Sequence, residues 1–133
     1  MRYLLDTNVC IRYINGRSAE IRAKLPTVPR QDVFVSVMTK AELFYGSAKS
    51  QTPQVSRRKQ EEFLATVTVL PITDPTIEHY AIIRTHLSQL GTPIGSNDVF
   101  IAATALAHDL TLITHNTAEF GRVPDLKIED WEA

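Results

Sequence analysis

Short apolar runs that stop at a polar residue recur along this chain, and each is followed by apolar positions returning at helical spacing. Tyr3-Leu4-Leu5 ends at Asp6; Val9, Cys10, Ile11, Tyr13 and Ile14 then mark one side of a helix that Gly16 breaks. Ser18 opens a second amphipathic stretch over residues 19–25, stopped by Pro26. After a proline-containing loop, Asp32-Val33-Phe34-Val35-Ser36-Val37 reads as a β-branched strand, with a helix start at Thr39. Residues 54–67 return to helical spacing, with Val55, Phe63 and Leu64 on the inner side and Arg57, Arg58 and Lys59 on a solvated face beside Glu61 and Glu62.

The second half repeats the scheme. A short strand over residues 67–72 leads through Asp74-Pro75 into a long helix from Thr76, carried by Ile77, Tyr80, Ala81, Ile83, Leu87 and Leu90 and ended by Gly91. Asp98 then opens an almost wholly apolar helix over residues 99–107, and Leu110-Thr111-Leu112-Ile113-Thr114 forms another buried strand. Leu126 to Trp131 adds an edge strand and an indole to pack. Strand alternating with helix predicts an α/β fold around a mainly parallel sheet whose strand C-termini share one edge. No repeat, linker or low-complexity tract divides the chain, so a single domain over residues 1–133 is expected.

Composition narrows this picture rather than changing it. At 44% hydrophobic and 22% charged, the chain has the balance of an ordinary globular domain. No apolar run approaches membrane-spanning length and Asp6 follows Met1 too closely for a signal peptide, so a cytoplasmic protein is expected. The lone Cys10 has no disulfide partner and no zinc-type spacing, and it reads as a packed thiol. His79, His86 and His108 fall within helical patterns and none has metalloprotease spacing. A net charge of -1 excludes little, because an acidic pocket and a basic surface cancel.

The carboxylates carry the chemistry. Asp6 stands where open α/β sheets hold their ligands, although Asp6, Thr7 and Asn8 are all good helix caps as well. Glu42 also follows a strand, and Thr39 to Glu42 equally fits a capping box. Asp98 opens a buried helix, while Asn116 and Glu119 follow a third strand. Should these ends converge, the acids repel unless a cation joins them, and an oxygen-only donor set favours Mg²⁺ or Mn²⁺. Such a centre suits phosphodiester hydrolysis, with Asp6 and Asp98 as principal metal ligands and Glu42 as ligand, water orienter or general base. Two rivals stand beside this: a metal-dependent phosphatase, weakened by Asn8 where a second aspartate is usual, and a non-catalytic module whose acids contact a basic partner. There is no Gly-rich phosphate loop of an NTPase.

Leu5-Asp6-Thr7-Asn8, the segment around Glu42, Ile94-Gly95-Ser96-Asn97-Asp98 running into Ile101-Ala102-Ala103, and the stretch from Leu112 to Phe120 together resemble PIN domains. More narrowly they resemble the VapC toxins of bacterial type II toxin-antitoxin pairs. The resemblance spans essentially the whole chain. It implies a three-layer α/β/α sandwich and a Mg²⁺-dependent endoribonuclease, usually a homodimer, inhibited by a VapB-type antitoxin. Thr114-His115-Asn116-Thr117-Ala118-Glu119-Phe120, with Arg122-Val123-Pro124 and Glu129-Asp130-Trp131, is similar to the subgroup that cleaves initiator tRNA in the anticodon region. Asn116 departs from the aspartate common at its position, and Glu119 offers the missing carboxylate. The resemblance further implies an antitoxin groove near the acids, walled by residues 19–25 and 43–48 unless these simply pack in the core. Arg12, Arg17, Arg57, Arg58 and Lys59 are candidate RNA phosphate contacts.

Overall fold

The computed structural model describes all residues 1–133 and places five parallel strands in the order β3-β2-β1-β4-β5. These are β1 (Tyr3–Leu5), β2 (Val33–Ser36), β3 (Thr68–Leu70), β4 (Thr111–Ile113) and β5 (Ile128–Glu129). The helices are α1 (Thr7–Ile14), α2 (Ala19–Lys24), α3 (Val37–Ala48), α4 (Pro53–Leu64), α5 (Asp74–Gln89), α6 (Ser96–Ala107) and α7 (Thr117–Phe120). Two short 3₁₀ turns, Leu25–Thr27 and Arg30–Asp32, occupy the proline-containing loop.

Period-two alternation in the central strands splits the core into two layers. Leu4 and Leu112, neighbours in register, face Ile83 and Leu87 of α5, the apolar side of α6, and Phe120. Leu5, Val35 and Ile113 face the opposite way, onto Val9 and Cys10 of α1, Ile21, Leu25, Leu43, Phe63, Leu64 and Trp131. Helices α1 to α4 therefore cover one face and α5 with α6 the other, which is the expected α/β/α sandwich. Cys10 is fully buried, as its place on the apolar stripe of α1 predicts.

Alanines 102, 103 and 105 let α6 approach the sheet closely, and Tyr80 of α5 stacks on Phe100 at a centroid distance of 4.1 Å. Asp109, at φ 53°, makes the left-handed turn between α6 and β4, a conformation aspartate tolerates. Gly91, at φ 71°, ends α5 as its position in the sequence predicts.

Three expectations need correction. Helix α3 begins at Val37, capped by Ser36, whose hydroxyl accepts from the Met38 amide at 3.1 Å. Thr39 is buried inside the helix, so no capping box forms with Glu42. Val55 is half exposed rather than in the core. Of the long α5 stripe, Ile83 and Leu87 are buried, whereas Ile77 and Leu90 face outward.

Candidate active site

Chain connectivity moves outward from β1 in both directions, to β2 on one side and to β4 on the other, so the switch point of the sheet lies between β1 and β4. Asp6 and Thr114 leave those two strands side by side. The Asp6 amide donates to the Ile113 carbonyl at 3.1 Å, and the Thr114 hydroxyl donates to Asp6 Oδ2. Asp6 Oδ1 accepts from the Val9 amide at 2.8 Å and so caps α1. Asp6 thus caps α1 and also stands at the C-terminal edge of the sheet, and its side chain uses separate oxygens for the two neighbours. It is only 5% exposed, and burial raises its carboxyl above the usual range against the pull of these two donors.

Glu42 lies in the second turn of α3, half-buried, where its Oε1 accepts from the Thr7 hydroxyl at 2.5 Å. Thr7 in turn lies 3.0 Å from the Thr39 hydroxyl. Asp98 occupies the first turn of α6, where helix dipole and free amides favour an anion. Its carboxyl is nevertheless pushed up to about 6, first by burial and then by the charges of Glu42, Glu119 and Asp6. Four carboxylates from four different elements therefore share one neighbourhood. None is paired with a lysine, arginine or histidine.

Asn116 caps α7 by position, and its side-chain amide donates to Glu119 Oε2 at 2.9 Å, so these two sequence candidates are joined directly. The Asn116 backbone amide donates to Thr114 at 3.0 Å, which ties the pair back to Asp6. Two threonine hydroxyls, of Thr7 and Thr114, hold Glu42 and Asp6, and that of Thr39 backs Thr7; the sequence offers Thr7 and Thr39 only as helix caps. Thr39 and Thr114 are buried and Thr7 is half-buried.

Two hollows flank α1, with Ile11 bordering both. A cleft of about 520 Å³ takes in Asp6, Asn8, Arg12, His115, Asn116 and Glu132. A groove of about 260 Å³ runs from Glu42 between α1, α3 and α4, past Leu43, Gly46, Val55, Lys59 and Gln60. Ile21 and Leu25 are fully buried and wall neither hollow, so the apolar stripe of residues 19–25 packs in the core while the residues between them are exposed. Of the basic candidates, Arg12 borders the cleft and Lys59 the groove, whereas Arg57 stacks on the Phe44 ring 3.4 Å from its centroid and lies 3.9 Å from Glu61.

The donor set can be tested against a metal. No three acidic, histidine or cysteine side chains approach closely enough to close a cage by themselves. Asp6 and Glu42 each give one oxygen to a threonine, and Glu119 one to Asn116. A small hard cation needs only one or two carboxylates and completes its shell with water. An all-oxygen, charge-uncompensated group of this kind fits such an ion and does not fit a soft one.

The sequence profile described as PIN domain matches residues 3–126. The chain belongs to the PIN-domain family. It is similar to ribonuclease VapC2 of Rickettsia felis, at 35% identity over 99% of both chains, and to the tRNA(fMet)-specific endonuclease VapC of Shigella flexneri, at 35% identity over 98% of both. Its fold is similar to that in the crystal structure of VapBC2 from Rickettsia felis bound to a DNA fragment from their promoter, with a TM-score of 0.92 at 34% identity, covering 98% of this chain and 99% of that one. VapC nucleases of the PIN-domain family depend on a divalent metal. In this PIN domain no helix is long and apolar enough to cross a membrane.

Proposed function

We propose that this chain, as one PIN domain over residues 1–133, is a Mg²⁺-dependent endoribonuclease toxin that hydrolyses RNA phosphodiester bonds and is neutralised by a VapB-type antitoxin. The observation that carries the reading is the set of four uncompensated carboxylates near the switch point, where burial first and then the charges of Glu42, Glu119 and Asp6 lift Asp98 to about 6. When bound there, a divalent cation supplies charge neutralisation, Lewis acidity toward the scissile phosphate and an acidified water. Mn²⁺ has the same donor preference.

Asp6 and Asp98 are the residues that would hold the ion. Glu42, fixed through one oxygen by Thr7, keeps its second oxygen to orient or deprotonate the attacking water. Asn116 holds Glu119 beside them, and Glu119 contributes the charge that the asparagine lacks. Burial of Asp6 keeps competing solvent away from its carboxylate.

The relative from Shigella flexneri is named for tRNA(fMet), which supports initiator tRNA, cut in the anticodon region, as the substrate here. The solved VapBC complexes support an antitoxin partner, whose segment would lie in the groove ending at Glu42. A homodimer and a cytoplasmic location complete the reading. The test is cleavage of a tRNA mixture by the purified protein with Mg²⁺, with EDTA, and with Asp6→Asn in its place, followed by mapping of the new RNA ends. Cleavage only in the first arm, at one site in initiator tRNA, is expected. Equal cleavage in all three would end the proposal.

A further inference from the structure

The cleft beside Asp6 is bordered by a single permanent cation, Arg12. Its Nε donates to Glu132 Oε2 at 2.8 Å, and neither terminal nitrogen has a protein partner. The Arg12 side chain is 43% exposed, whereas that of Glu132 is only 10% exposed, and the other oxygen of Glu132 is buried with no hydrogen-bond partner. A pair whose only task was to staple the C-terminal turn would gain most from the two-pronged contact that arginine and carboxylate readily make. Here one prong is used, and the two outer nitrogens stay uncommitted at the rim of a cleft.

Glu132 is itself held firmly. Trp131 is buried edge-on against Tyr3 at 5.4 Å, and its indole donates to Glu129 at 3.2 Å. Asp130 accepts from the Glu132 amide at 2.9 Å through one oxygen and from His115 Nδ1 at 2.9 Å through the other. The C-terminal turn therefore places two carboxylates behind two nitrogen-bearing side chains of the cleft wall. Arg12 lies six residues beyond Asp6 on α1, which at helical rise is about 9 Å from the carboxylate end.

We infer that Arg12 seats an RNA phosphate neighbouring the one that is cut, and that Glu132 is a positioning residue for it, gripping Nε so that both terminal nitrogens meet the phosphate. The inference rests on the ribonuclease reading. It gives the acidic cleft the cation a polyanionic substrate needs at its entrance, without a cation that would neutralise the catalytic acids.

Steady-state cleavage of tRNA with Mg²⁺ across a salt series, with thermal melts of each variant, tests this. Arg12→Ala is expected to raise KM about 10-fold, the loss of a charge-assisted contact, with kcat nearly unchanged. The dependence of log KM on log salt should flatten by about 0.7, one phosphate contact on single-stranded RNA. Arg12→Lys should restore the salt slope and part of KM. Glu132→Ala should raise KM as Arg12→Ala does, the double variant should be no worse than Arg12→Ala, and Glu132→Gln, whose carbonyl still accepts from Nε, should behave as the unmodified protein. Unchanged KM and salt slope in Arg12→Ala, with cleavage intact, would overturn the inference while leaving the ribonuclease reading standing. A lower KM in Glu132→Ala would show that the carboxylate masks Arg12 rather than positions it. A lowered melting temperature with unaltered KM in the Arg12 and Glu132 variants would reduce the pair to a staple. No cleavage by the unmodified protein would remove the ribonuclease reading and this inference together.

Discussion

The hydroxyl of Thr7 stands 2.5 Å from Oε1 of Glu42 and 3.0 Å from the hydroxyl of Thr39. An ionised carboxylate only accepts, so Thr7 donates to Glu42 and receives the proton of Thr39. This chain of three fixes the direction in which Glu42 presents its other oxygen. Thr7→Val is expected to lower kcat about 10-fold or more, since hydrogen bonds to charged groups contribute about 1.5–3 kcal/mol. Thr7→Ser should recover most of it. Single-turnover cleavage with both variants checks the relationship, and full activity in the valine variant would remove Thr7 from the site.

Asp6 both caps α1 and lines the proposed centre, and two substitutions separate these roles. Asparagine is as good a cap as aspartate and has no charge to bury, so in EDTA at neutral pH Asp6→Asn should melt no lower than the unmodified protein yet lose metal-dependent cleavage. Asp6→Ala should lose cleavage and a further ~1 kcal/mol of stability. Denaturant titration beside the cleavage assay distinguishes them; retained cleavage in the asparagine variant would leave Asp6 only a cap.

The burial of Asp98, with the carboxylates around it, has a defined pH signature. Its carboxyl sits at about 6 in the folded protein against an ordinary 3.8, so the folded chain holds that proton more tightly than the unfolded one. With respect to this group, stability is therefore highest below 3.8, falls as pH rises through the window from 3.8 to about 6, and is level above it. Asp6 is raised as well and acts in the same direction. In EDTA, Asp98→Asn should match the unmodified protein at the acid end of the window and melt higher above it. Mg²⁺ should close that gap by stabilising only the unmodified protein. A gap that does not change with pH would mean that Asp98 is not strained by its neighbours.

Gly46 borders the groove that ends at Glu42, and a Cβ there would meet nothing within 4 Å. Gly46→Leu should fill the groove without disturbing the core. It should also stabilise α3 by about 0.5–1 kcal/mol, the usual gain on removing a mid-helix glycine. Cleavage should persist while more antitoxin is needed to suppress it. Titrating antitoxin against tRNA cleavage measures this, and an unshifted inhibition curve would place the antitoxin elsewhere.

Much of the architecture was legible because strands buried on both faces read as unbroken apolar runs, and those ending at Asp6 and Thr114 are the clearest in the chain. The acids were legible by position, as Asp6 and Glu42 follow apolar strands, Asp98 opens an apolar helix and Glu119 lies just beyond a third strand. The start of α3 was not: Ser36 and Thr39 are both good caps, and Val37-Met38 suits a strand or a helix, so only packing decides. The orienting hydroxyls of Thr7, Thr39 and Thr114 were hidden, since a threonine looks the same in sequence whether it faces solvent or a carboxylate. Arg12 was one of five basic residues with equal claims until the fold brought Glu132 to it across 120 positions. The apolar stripe of residues 19–25 leaves groove wall and core packing both open in the sequence, because it reads the same whether a partner or the core covers it.

The hydrogen bond between Asp6 and Thr114 spans 108 residues, and the strand that carries Asp6 is the middle one of the sheet. While the polypeptide is still being made, Leu4 and Leu5 have no neighbour on their β4 side until Leu112 and Ile113 have emerged. A ribosome-bound or prematurely released fragment consequently carries every motif acid up to Asp98 and still lacks the frame that brings them together. The frame of the proposed active site is therefore complete only when Thr114 arrives, 108 residues after Asp6.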